Sequence, residues 1–102
     1  MGIQDEICAA IKERKVIKFT YGREIATRTF EPFVVYKTKS KHIHVSGFQS
    51  HNTANPLDKR GWRNFEVADI TSLVVTDEVF TLDQSFNPSN TRYAAGVICY
   101  VV

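Results

Sequence analysis

The chain has 102 residues, 43% of them hydrophobic and 24% charged, with seven Phe, four Tyr and one Trp; this is enough for one folded core and too short for two joined by a linker. No stretch approaches the roughly 20 apolar residues of a membrane-spanning helix, and Asp5 and Glu6 stand where a secretory signal would be basic, so a cytoplasmic protein away from membranes is expected. The net charge of +2 conceals an asymmetry: residues 1–63 hold twelve basic and six acidic side chains (+6), residues 64–102 one basic and five acidic (−4). Such a distribution suits either an anionic partner for the first part or a head-to-tail contact between copies.

In chain order, Ile3, Ile7 and Ile11 recur every four residues while Gln4, Asp5, Lys12, Glu13 and Arg14 take the other side, which predicts one amphipathic helix over about 3–15. Its acids precede its bases, as the helix dipole favours, but no Ser, Thr or Asn offers an N-cap. After Lys15 the period becomes two: Ile17, Phe19 and Tyr21 alternate with Lys18 and Thr20, a half-buried strand that ends at Gly22-Arg23. A second strand is expected over 25–30, broken near Pro32, which cannot donate to an interior ladder, with 33–37 continuing extended.

Thr38-Lys39-Ser40-Lys41 reads as a hairpin tip, and alternation resumes with Ile43, Val45 and Gly47 against His42, His44, Ser46 and Phe48. Residues 49–61 lack an apolar period and are the longest expected loop. Strands follow over 62–67, with Phe65, Val67 and Arg63 on one face, over 70–75, and briefly at Val79-Phe80, before Asn87-Pro88-Ser89-Asn90 punctuates the chain. The last residues, about 93–102, end in an uncharged apolar run, either a strand inside a barrel or an edge completed by another copy of the chain. The whole is expected to be a single domain over 1–102, mainly β: a small antiparallel barrel over about 16–82 with one N-terminal α-helix.

Cys8 and Cys99 lie far apart in apolar contexts and form no metal motif, so both are read as buried small apolar side chains. His42 and His44 share a strand face, but no carboxylate or thiolate is placed beside them by spacing, and no metal is expected. Lys37, Lys39 and Lys41 form a basic stripe that suits either a phosphate backbone or protection of a hairpin edge. No phosphate loop, dinucleotide fingerprint or nucleophile signature is present, so no enzymatic activity and no cofactor are expected.

The order Ile17-x-Phe19-x-Tyr21, Arg28-x-Phe30-x-Pro32, Ile43-His44-Val45-x-Gly47-Phe48 and Arg63-x-Phe65-x-Val67-x-x-Ile70 resembles the WYL domain family over about 3–80. The family's Trp-Tyr-Leu triplet is here Ile43-His44-Val45, and Asp69 stands where the family pattern has an arginine. The resemblance implies an Sm-like, Src-homology-3-like barrel preceded by a helix. It also implies a ligand-sensing role in transcription regulation, with members near phage-defence systems. The expected ligand is single-stranded nucleic acid or a nucleotide, held by Tyr21, Arg28, His44, Trp62 and Arg63 through stacking and phosphate pairing. Without a winged helix in this sequence, output is expected through a separate regulatory protein or through self-association. A homo-oligomer assembled by the C-terminal strand is the alternative.

Overall fold

The structure, a computed structural model, describes residues 2–23, 27–52, 61–82, 86–87, 93 and 95–101. Helix α1 (Ile3–Lys12) turns Ile7, Ala10 and Ile11 into the core, as the four-residue spacing requires. Gly2 is its N-cap and offers no side chain; its carbonyl accepts the amides of Asp5 and Glu6, whose carboxylates suit the positive helix end. The helix stops three residues before the expected boundary because Arg14 enters the left-handed region at φ 55°, which reverses the chain into the sheet.

Among the described residues six antiparallel strands follow: β1 (Lys15–Tyr21), β2 (Arg28–Lys37), β3 (Ile43–Asn52), β4 (Gly61–Glu66), β5 (Ile70–Val79) and β6 (Val97–Tyr100), with a 3-10 turn at Val67–Asp69 between β4 and β5. Their order is β4-β3-β2-β1-β5, and β6 adds to β2. Among the described residues the fold is thus mainly β, with one α-helix, and the Cα radius of gyration of 12.7 Å is that of a compact domain of this length. The expected barrel is not closed: among the described residues no ladder joins β4 to β5. On that side Glu66 N–H of β4 donates to Tyr21 Oη of β1 at 3.0 Å, while Gly22 N–H to the Asp69 carbonyl at 2.7 Å extends the pairing of β1 with β5.

Several strand boundaries differ from expectation. β2 runs through Pro32 instead of breaking there, while the expected start at residue 25 lies outside the described residues. β3 occupies one edge of β2 throughout; on the other edge β1 pairs with 28–30 and β6 with 34–36. Pro32 sits where one neighbour gives way to the other, beside a register shift between Pro32 and Val34, so its missing N–H costs little. β3 extends to Asn52, four residues beyond the alternating run, and residues 53–60 of the expected loop lie outside those described. The two short strands expected over 70–80 are one strand, β5, with two register irregularities, one at Ser72 (φ 50°).

The core is built around Phe65, whose ring meets Phe19, Tyr21 and Phe30 at centroid distances of 5.2, 4.9 and 5.3 Å in edge-on contacts. Ile7, Ile11, Ile17, Val35, Val45 and Ile70 complete it. A smaller cluster of Val34, Tyr36 and Tyr93 lies apart from this core, with Phe86 packed against both.

The C-terminal run and the cysteines require corrections. β6 is not enclosed, since Val97, Ile98 and Tyr100 are 37, 43 and 46% exposed. Cys8 and Cys99 are not two free apolar side chains; they form a disulfide across a sequence separation of 91, joining α1 to β6. Sequence distance concealed the pair, because β6 reaches the helix only by crossing to the far edge of β2.

Candidate ligand-binding face

Strand alternation divides the side chains of β2, β3 and β4 between two faces. Val35, Val45 and Phe65 point into the core. On the other face the register sets three cross-strand rows: Tyr36-His44-Glu66, Val34-Ser46-Asn64 and Glu31-Phe48-Trp62. Side chains directly opposite one another lie close enough to interact, so these rows form one surface of rings, hydroxyls and an amide.

Its polar centre is ordered. Ser46 is fully buried and its Oγ donates to Asn64 Oδ1, while Tyr36 Oη donates to the same oxygen at 3.3 Å. Asn64 is exposed, and besides the engaged Oδ1 its side chain carries an amide donor, Nδ2. Tyr36 is covered by Tyr93 at 4.7 Å between centroids, and His44 packs edge-on to Tyr36 at 5.9 Å. At one end Trp62 lies against Phe33 and stacks with Phe86 at 5.2 and 6.1 Å. At the other, His42 Nδ1 is hydrogen-bonded to Glu66 Oε1.

The hairpin places cations at this second end. The Lys41 amide donates to the Thr38 carbonyl at 2.9 Å and the Thr38 amide to the His42 carbonyl at 2.8 Å, forming the expected tip. Lys37, Lys39 and Lys41 are exposed. Lys41, His42 and Glu66 line a cleft of about 360 Å³ with Gln4, Ile43, Val67 and Ala68. Among the described residues no group of three or more His, Cys, Asp or Glu side chains is arranged to hold a metal ion, and no helix is long and apolar enough to cross a membrane.

The five residues expected to share one groove fall into two sets. His44 and Trp62 share the strand parity of the polar, aromatic face just described, and Trp62 also packs on the core through Phe33. Tyr21 and Arg28 converge instead on the Phe65 ring: the Arg28 guanidinium carbon lies 5.2 Å from the ring centroid, and its Nη1 donates to the buried Gln49 Oε1 at 2.7 Å. Arg63 has the strand parity of Phe65, and its Nη1 donates to the Trp62 carbonyl at 2.9 Å. Tyr36, Ser46, Asn64 and Glu66 also belong to the cross-strand rows and were not expected from the sequence. The alternation of His44-Ser46-Phe48 and Trp62-Asn64-Glu66 carried part of the signal, but only the register brings the two runs together.

No family model matches the chain, and no curated protein matches it. Among solved structures it is similar to proteasome accessory factor B/C (PafBC) of Arthrobacter aurescens, with a TM-score of 0.67 and 21% identity over 83% of this chain. The chain spans 13% of that protein's length. At this identity the likeness is one of fold.

Proposed function

We propose that the chain is a WYL-like regulatory module that binds single-stranded nucleic acid or a nucleotide-type ligand, without catalysis, on the face of β2, β3 and β4. The observation that carries this reading is the set of three cross-strand rows. His44 and Trp62 supply partly exposed rings for a base to stack on, and Asn64 supplies an amide for the base edge. Lys37, Lys39 and Lys41 stand at one end of the same strands, where phosphates would be neutralised. A fold shared with a proteasome accessory factor supports the regulatory part. Tyr21, Arg28 and Arg63 serve mainly to hold the opposite face, through Phe65, Gln49 and the Trp62 carbonyl.

Fluorescence anisotropy with a labelled mixed-sequence single-stranded oligonucleotide tests the reading. Affinity should fall steeply as salt rises, and Trp62→Ala should weaken binding roughly tenfold, within the range of about 1–3 kcal/mol per stacked base. Salt-independent affinity, or an unchanged Kd for Trp62→Ala, would count against it. The exposed Val97, Ile98 and Tyr100 favour a second role, self-association through β6. Light scattering at high concentration checks that role, and a monomer there excludes it.

A further inference from the structure

We infer that the Cys8–Cys99 disulfide is a thiol–disulfide exchange site for a dithiol reductant, and that its reduction releases β6 and uncovers the Tyr36 side of the sheet. This inference goes beyond the ligand-binding proposal and does not rest on it. Its basis is the placement of the bond. Cys8 lies beside the buried Ile7 on α1 but is itself only half-buried, and Cys99 is half-buried on β6. Together with Ala9, Lys12, Val97, Ile98 and Tyr100 they line an open groove of about 560 Å³. The disulfide therefore borders a surface cleft that an incoming thiolate can enter.

β6 depends on few other attachments. It has four residues, its described ladder is to β2 alone, through Tyr100, Cys99 and Val97, and three of its side chains are substantially exposed. Beyond that ladder Val101 is buried and its amide donates to the Phe33 carbonyl at 2.8 Å. The segment before β6 is tied in by Lys37 N–H to the Gly96 carbonyl and Gly96 N–H to the Tyr93 carbonyl, at 2.8 and 3.0 Å. Tyr93 in turn covers Tyr36. A strand this short and this exposed, once freed from the helix, belongs to the least stable part of a fold.

The chemistry balances with a dithiol alone. One thiolate of the reductant attacks a sulfur of the pair; the S–S bond breaks, and the other cysteine leaves as a thiolate that takes up a proton. A mixed disulfide remains, which the second thiol of the reductant attacks, so the reductant becomes a disulfide and the protein carries two thiols. Two electrons and two protons pass to the protein.

Thiol titration and hydrogen exchange on the full chain, with and without dithiothreitol, test the inference. The untreated protein should show no reactive thiol and the treated one two per chain. On reduction the amides of 97–101 and that of Lys37 should lose roughly tenfold or more of their protection beyond the loss that β1, β3 and β4 share through the lower global stability. Cys99→Ser should reproduce the reduced pattern without reductant, and reduced wild-type protein decides the matter where that variant does not fold. Resistance of the bond in the folded protein, unchanged protection over 97–101, or a loss spread evenly over all strands would each overturn the inference.

Discussion

At the scale of single residues the sheet depends on a few positions that tolerate no alternative. Gly47 is the tightest: a Cβ there would stand 2.1 Å from the Glu31 carbonyl oxygen and 2.8 Å from Phe30 Cζ, so the backbone of β2 would have to move. Gly47→Ala should cost about 1–3 kcal/mol or more, read from the urea midpoint, as overpacking of a close strand pair does. Phe65 has the opposite vulnerability, since its ring is shared by Phe19, Tyr21, Phe30 and Arg28 and its loss opens a cavity. Phe65→Ala should cost about 3–5 kcal/mol in the same measurement. Tyr36→Phe removes the hydroxyl that donates to Asn64 and lies 3.4 Å from the Ser46 hydroxyl, so a loss of about 1 kcal/mol is expected, with the sheet intact. Ser46 still holds Asn64 in that variant, so ligand affinity should change less than in Trp62→Ala.

At the scale of elements, local pattern and neighbour relations separate cleanly. α1, β1 and the hairpin tip at 38–41 were legible because each is decided by residues within a few positions: the isoleucine period, the Ile17-Phe19-Tyr21 alternation, and the polar turn. The passage of β2 through Pro32 was not, because it depends on β1 and β6 sharing one edge, which no local residue encodes. β5 read as two strands for a related reason. Its bulges interrupt the alternation, yet Thr76 Oγ1 bridges to the Val16 carbonyl at 2.7 Å and keeps the segment on the sheet. Those bulges, with Asp77 and Glu78, also make the exposed edge of β5 a poor template for another chain despite Val74, Val75 and Val79. The disulfide closes most of the chain into one loop, so replacing both cysteines by serine should lower stability by about 2–4 kcal/mol in denaturant titrations.

For the whole molecule, the candidate face was half legible. His44 and Trp62 were identified from ring chemistry and the WYL-like motif order, whereas Tyr36, Ser46 and Asn64 come into play only when three strands align in register. The same register separates Tyr21 and Arg28 from that face and commits them to Phe65 and Gln49. Charge acts at this scale too, since the exposed lysines of the hairpin lie at one end of the rows while Asp77 and Glu78 lie on β5. Neutralising Lys37, Lys39 and Lys41 together should flatten the salt dependence of oligonucleotide binding by up to about two units of slope, about 0.7 for each phosphate they would engage on a single strand. The most direct test of the central claim is a chemical-shift map with a short single-stranded oligonucleotide. Perturbations should concentrate at Tyr36, His44, Trp62 and Asn64 and extend to Lys41. Perturbations confined to α1 and β6, or none at all, would contradict it.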